Sequence, residues 1–303
     1  MELLGKTKID FIGMQKISFV ISAIISIVGI LGVIQVGRGA ANMGIDFSGG
    51  TSMQLKFSKP ISIADARTAL HKNGIAKADL QEITDGNKLL VKMAGAAVGK
   101  PSEMVQTAFK KEFTDNAFTV ESSTEIGPSI GDKLRKDTMV AALLSMIGII
   151  LYIAWRFDFK FGVGATLATM HDCLAMFAVF YLLNKEINLL FITAVLTIAG
   201  YSLTDTVVVF DRIRENLHKN LKGALNKIFN DSINEVLSRT IVTSLTVFLA
   251  AASLFFFGGE VIHDFALALL IGVLVGTYSS IFVASPIVVL LENRALTKKA
   301  QTA

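Results

Sequence analysis

One carboxyl group in the middle of an apolar stretch is the residue from which chemistry is most readily argued. Tyr201-Ser202-Leu203-Thr204-Asp205-Thr206 interrupts an otherwise apolar run, and Thr197, Tyr201 and Asp205, four apart, share one helical face. Asp205 precedes Arg212 by seven residues, which at 1.5 Å per residue places it about 10 Å inside the boundary that the arginine marks. A side chain as short as aspartate cannot reach back to water from there. Ionisable groups in hydrocarbon cost several kcal/mol, so each is a functional candidate. Removing water disfavours the charged form of a carboxyl, which suits it to take up and release a proton. The structural alternative is an aspartate that bonds neighbouring backbone or hydroxyls to fix helix packing.

A counter-charge would make such a site switchable. Arg239 opens the next apolar run, with Thr240, Thr243 and Ser244 in the following turns; the alternative role for Arg239 is an interfacial anchor. His171-Asp172 lies deep in another run, where Gly164, Ala168 and Asp172 share a face. Relay participation and structural bonding weigh equally there. A metal site is not expected, because adjacent helical residues point about 100° apart and no further ligand cluster follows.

The elements that must position these groups are membrane spans. Hydrophobic residues make up 52% of the 303 and charged residues 18%, and mean hydropathy is +0.57, against a charged share of about 25% in soluble proteins. Six runs are long enough to cross a hydrocarbon core about 30 Å thick: residues 17–36, 139–154, 161–183, 187–209, 240–257 and 265–291. The first exceeds a signal-peptide core of about 7 to 15 residues and is read as an anchoring helix, with Gly39-Ala40-Ala41 as the alternative processing site. The sixth carries Ala268, Gly272, Gly276, Ser280 and Ala284 at intervals of four, a stripe of small residues that lets another helix approach closely, within the chain or on a partner.

Lysines and arginines orient the spans. With residues 1–16 and 292–303 both cytoplasmic, Arg156, Lys160, Arg212, Arg214 and Arg239 join the termini inside and only Lys185 remains in the short outer loops. Trp155 and Phe255 to Phe257 fit aromatic belts. The segment from Asp211 to Asp231 reads as an amphipathic helix lying at the cytoplasmic face. The formal charge of +4 is explained by cytoplasmic lysines, and no basic tract with interleaved aromatics points to nucleic acid. Cys173 is the sole cysteine, so no intrachain disulfide can form.

Residues 37–136 then form an outer domain whose pattern changes from continuous apolarity to alternation. Strands are expected at 51–57, 78–83, 88–93 and 118–126, with a hairpin at Asp85-Gly86. Helices are expected from a Ser62 cap to His71, and from Ser102 through Phe113. The order βαββαβ is ferredoxin-like. No nucleophile, carboxylate pair or His/Cys cluster is evident, so the domain reads as a binding module or a packing spacer. Gly44-Ile45-Asp46-Phe47-Ser48-Gly49-Gly50 and Gly127-Pro128-Ser129-Ile130-Gly131 bracket it. Neither has the Gly-Lys-Ser/Thr of a phosphate loop, and both read as tight junctions.

Taken with the one-plus-five arrangement of spans, four motifs carry a resemblance: GIDFSGGT at 44–51, GPSIG at 127–131, HD at 171–172 and GYSLTDTVVVFDRIREN at 200–216. Over essentially its whole length the chain resembles the SecF family, subunits of the bacterial Sec protein-export machinery and relatives of the RND transporters. The resemblance implies a multi-pass protein of the cytoplasmic membrane with a periplasmic ferredoxin-like domain. It also implies SecD as partner, with SecYEG and YajC as further partners and translocating preprotein as substrate. The energy source would be the proton-motive force, with no cofactor. By motif, Asp205 matches the family's proton-carrying aspartate, and Arg239 and Thr243 match the positions implicated with it. Thr204 stands where the family more commonly has asparagine. The rival readings are an RND-like exporter of lipids or small molecules, an intramembrane aspartyl protease using Asp172 and Asp205 but lacking the Gly-x-Gly-Asp signature, and a structural scaffold.

Overall fold

A computed structural model describes residues 5, 7–75, 78–83, 87–94, 100–220 and 223–302. The chain divides into two compact units, one of residues 42–141 and 186–189, the other of residues 1–41, 142–185 and 190–303.

The smaller unit begins with a single helical turn, α1 (Ile45–Ser48), and continues β1 (Gly50–Phe57), α2 (Ile63–Lys72), β2 (Asp79–Ile83), β3 (Lys88–Ala94), α3 (Pro101–Glu112) and β4 (Phe118–Ile126). The antiparallel sheet has the order β2-β3-β1-β4, as expected for the βαββαβ arrangement. Alternation works as the sequence indicates. Met53, Leu55 and Phe57 of β1 and Leu89, Val91 and Met93 of β3 are buried, and the helices add Ala66, Ala69, Leu70, Val105, Ala108 and Phe109. Ser62 caps α2, its Oγ accepting from the Asp65 N–H at 3.1 Å. Ser102 does not cap α3. The helix starts two residues earlier than a Ser102 cap requires, with Lys100 at the cap and Pro101 in the first turn, because proline's fixed φ and missing N–H suit the first helical position. The expected turn at Asp85-Gly86 lies outside the described residues.

The two glycine stretches pack against each other. Gly49 adopts φ 69°, and a Cβ on Gly131 would stand 2.8 Å from the Gly49 nitrogen. Residues 186–189 complete this unit: Gly44 N–H donates to the Ile187 carbonyl at 3.0 Å and Ile187 N–H to the Asn42 carbonyl at 2.8 Å, while Lys92 and Glu186 pair at 2.7 Å.

Among the described residues, six helices or helix pairs are long and apolar enough to span a membrane. They are α0, α4, α5, α6, α7 and the pair α8 and α9: α0 is Gln15–Gly37, α4 Pro128–Arg156, α5 Phe159–Leu182, α6 Leu189–Lys219, α7 Leu225–Phe257, α8 Glu260–Ser279 and α9 Ser285–Thr302. A π turn, Ser280–Ala284, joins the last two. Pro286 has no N–H to give to a carbonyl one turn earlier, and just before it Ser285 Oγ donates to the Ser280 carbonyl at 3.0 Å. The sixth span is therefore one run in sequence and two helices in space.

The helices outrun the apolar stretches at several ends. The amphipathic surface helix expected over 211–231 does not form as a separate element; α6 continues straight to Lys219 and α7 starts at Leu225, fifteen residues before the expected start at Thr240. Arg212 pairs with Glu215 at 2.6 Å and with Glu235, and Lys219 with Glu215 at 2.6 Å. Beneath these pairs Ile213, Phe229 and Ile233 extend the buried stripe, so packing continues where hydropathy has ended. Likewise α4 starts at Pro128 rather than Met139, and helix continues through the expected C-terminal tail. The N-terminal segment is held by α7: the Asn234 side chain accepts from Ile9 N–H at 3.0 Å and donates to the Ile9 carbonyl at 2.9 Å.

Close backbone contact governs the membrane unit. A Cβ on Gly29 would fall 2.2 Å from the Leu174 carbonyl oxygen, so α0 lies directly on α5.

Candidate functional site in the membrane bundle

Asp205 lies on α6 with 8% of its surface exposed. Thr240 of α7 faces it, yet Asp205 Oδ2 and Thr240 Oγ1 are both buried without a hydrogen-bond partner among the described residues. Arg239 acts on Asp205 electrostatically, but its exposed guanidinium makes no ion pair with it. The structure thus brings Asp205 and Arg239 into range of one another and leaves a carboxyl oxygen free. Burying such an oxygen without a donor is costly.

Thr243 is not brought to Asp205. It is exposed, and its hydroxyl donates to the Arg239 and Thr240 carbonyls of its own helix at 3.0 and 2.9 Å. Thr204 is likewise occupied locally, bonding the Gly200 carbonyl at 3.1 Å. One turn before Asp205, Tyr201 donates to Ser244 Oγ of α7 at 3.1 Å, and Thr277 Oγ1 of α8 donates to the same oxygen at 2.6 Å. Three helices are therefore stitched together beside the acid. Thr277 was missing from the sequence-based candidates; the run Thr277-Tyr278-Ser279-Ser280 in an otherwise apolar span is the signal that would have found it.

His171 and Asp172 of α5 form a second buried polar cluster. Asp172 is fully buried. His171 Nδ1 lies 3.2 Å from its Oδ1, Ser279 Oγ donates to its Oδ2 at 2.8 Å, and Ser202 Oγ of α6 donates to the same oxygen. His171 Nε2 is buried with no partner among the described residues. Nearby, the Tyr278 hydroxyl bonds the Ser18 carbonyl at 3.0 Å and meets Ser22 Oγ at 3.1 Å, both on α0. The two acids make separate sets of contacts, Asp172 with His171, Ser202 and Ser279, and Asp205 beside Thr240 and Arg239. No group of three or more His, Cys, Asp or Glu side chains suited to a metal ion occurs among the described residues.

The stripe of small residues on the sixth span is an internal interface. A Cβ on Gly272 would stand 2.4 Å from Ile198 Cγ1, and one on Gly276 2.9 Å from Ser202 Cβ, so α8 lies against α6. Ser280, fully buried, opens the π turn and donates to the Thr277 carbonyl at 3.1 Å. At the rims Trp155, Phe256 and Phe257 are widely exposed, as membrane-interface aromatics are.

Comparison with known proteins is consistent throughout. Residues 105–294 match the family of SecD/SecF protein export membrane proteins, C-terminal part, and residues 41–61 match the SecD/SecF GG motif. The protein translocase subunit SecF of Thermodesulfovibrio yellowstonii is 54% identical over 300 residues, covering 98% of this chain and 99% of that protein. The SecF subunit of Calditerrivibrio nitroreducens is 39% identical, with 95% of each chain covered. The crystal structure of SecDF, a translocon-associated membrane protein, from Thermus thermophilus superposes with a TM-score of 0.81 at 35% identity, covering 95% of this chain and 39% of that one. SecDF in its super-membrane-facing form gives a TM-score of 0.73 at 35% identity, over 99% and 41%. The chain spans about two fifths of the length of the solved SecDF chains and nearly all of the SecF subunits. A family match over residues 105–294 and 54% identity along nearly the whole of a SecF subunit are decisive, and the chain belongs to the SecD/SecF family of protein-export membrane proteins.

Proposed function

We propose that this chain works as the SecF half of a SecD–SecF accessory to the bacterial Sec translocase, using the proton-motive force to assist preprotein movement through SecYEG. The single observation that supports a proton step is the buried Asp205 oxygen without a hydrogen-bond donor, facing Thr240 with Arg239 in electrostatic range. A carboxyl oxygen so placed is open to a proton. While ionised it attracts Arg239; once neutral it does not, and α6 and α7 are free to separate. A membrane potential contributes about 2.3 kcal/mol per elementary charge per 100 mV, enough to bias two packings of a helix bundle that differ by a few kcal/mol.

Thr243, turned onto its own helix, would enter the relay only when α7 reorients or the SecD half is bound. Both termini would be cytoplasmic and the ferredoxin-like unit periplasmic, where it would hold or pull emerging polypeptide. Complexes with SecD, SecYEG and YajC follow from the same assignment, and no cofactor is required beyond the proton gradient.

The test is proton-dependent export in inverted membrane vesicles containing Asp205→Asn. Export that requires the gradient is expected to fall to the level seen without one, while the protein still copurifies with SecD. Wild-type export by this variant overturns the relay. Copurification of a self-sufficient oligomer without SecD or channel subunits would favour the RND-like exporter of lipids or small molecules.

A further inference from the structure

Asp205 reaches α7 only if α6 is held at the correct rotation about its own axis, and the side chain that holds it is identifiable. Ser202 precedes Asp205 by three residues, so the two side chains point about 60° apart around the helix. Ser202 is directed at Asp172, and its hydroxyl donates to Asp172 Oδ2. The same oxygen takes the Ser279 hydroxyl at 2.8 Å, from the last residue of α8 before the π turn. Gly276, one turn earlier on α8, leaves no space above Ser202, since a Cβ there would lie 2.9 Å from Ser202 Cβ. On the neighbouring side of α6, Tyr201 is held to Ser244 of α7 at 3.1 Å.

We propose that Asp172 is a positioning residue: by accepting the hydroxyls of Ser202 and Ser279 it pins α6 and the end of α8 to α5, and so fixes the direction in which Asp205 faces α7. This deepens the proton-relay proposal and rests on it. Asp172 has no exposure, and both of its oxygens are already engaged by His171, Ser202 and Ser279. A carboxyl that takes hydroxyls from two other helices, with its second oxygen steadied by its own helix, is suited to hold those helices. Asp205, with an oxygen left open, is suited to exchange a proton. The two acids of the bundle thus divide the work. The π turn belongs to the same device, because Ser279 ends the α-helical ladder of α8 where Ser280 begins the wider turn, and such turns cluster at functional sites. Facing Asp172 are His171 on its own helix, Ser202 of α6 and Ser279 of α8. Facing Asp205 are Tyr201 on its own helix and Arg239 and Thr240 of α7.

Asparagine separates holding from proton transfer. In Asp172→Asn the amide oxygen can accept both serine hydroxyls, and the amide N–H can donate to His171 in its other tautomer. The pin survives while the carboxyl is lost. The double variant Ser202→Ala, Ser279→Ala does the reverse, keeping the carboxyl and removing the pin with little change in volume. Each is made in the full chain, and two readouts are taken in vesicles: proton-dependent export as a function of pH, and the distance between spin labels at the exposed positions Thr204 on α6 and Leu245 on α7.

The serine double variant is expected to lose export by up to about 100-fold, as a misplacement of about 1 Å of a reacting group can, with a displaced pH midpoint and an altered label distance. Asp172→Asn is expected to keep the wild-type label distance and pH profile. An Asp172→Asn variant that loses export, together with a serine variant that keeps the wild-type distance and rate, overturns the positioning role and makes Asp172 a proton carrier. Failure of the relay proposal is distinguishable, because Asp205→Asn alone tests it and the label distance reports the pin whether or not export occurs.

Discussion

The two units of this chain solve the burial problem in opposite ways. In the ferredoxin-like unit the core around Phe57, Leu89 and Phe109 is apolar, and Thr51 at the start of β1 is the polar side chain buried among the described residues. In the membrane unit the buried set includes His171, Asp172, Asp205 and the hydroxyls of Ser202, Thr240, Ser279 and Ser280. The first faces water, so removing apolar surface from it is the driving force and polar groups are left outside. The second lies in a medium as apolar as its own side chains. Its helices gain little from hydrophobicity and are joined by close packing and interhelical hydrogen bonds. Polar residues inside the bundle are consequently where specificity and function are concentrated, and in the small unit they are not.

This contrast can be broken or sharpened by substitution in the full chain. The largest stability loss is expected for Phe109→Ala, which removes a fully buried ring packed edge-on to Phe57 at 5.8 Å and should cost about 3–5 kcal/mol. Hydrogen exchange should rise across β1 and β3 with the membrane helices unaffected, and a uniform rise in both units would show that they do not unfold separately. Next is Gly29→Ala, whose Cβ meets the Leu174 carbonyl oxygen at 2.2 Å. Overpacking of this kind costs about 1–3 kcal/mol, so the thermal midpoint in detergent should fall, and an unchanged midpoint would mean that α0 is not seated on α5 as described. The smallest effect belongs to Ser62→Ala, which deletes the bond to Asp65 N–H and should cost about 1 kcal/mol. Its exchange signature should be confined to the first turn of α2. A comparable loss in the membrane unit would contradict the separation of the two.

Much of the architecture was legible because the signals are local. The strand β4 begins and ends at Phe118 and Ile126 as its alternation indicates, and Ser62 caps the helix its type and position suggest. Helix ends beyond the apolar runs were not legible. Arg212, Glu215 and Glu235 look like solvated charge in one dimension and prove to be cross-linked over the buried Ile213 and Ile233. The site was legible in part. Asp205 and Arg239 come within electrostatic range of one another without pairing, whereas Thr243 bonds its own backbone and Ser279 was not foreseen as a partner of Asp172.

By itself the sequence determined that the chain crosses a membrane six times, that an alternating α/β segment separates the first crossing from the rest, and that an acid is placed where hydrocarbon should be. These follow from residue type and spacing, which act over a few residues at a time. Only the tertiary structure decided which acid is held and which is open. A polar group in a low-dielectric interior takes its partners from whichever helices face it, and helix rotation is settled jointly by contacts such as Gly276 on Ser202 and Gly29 on Leu174, far apart along the chain.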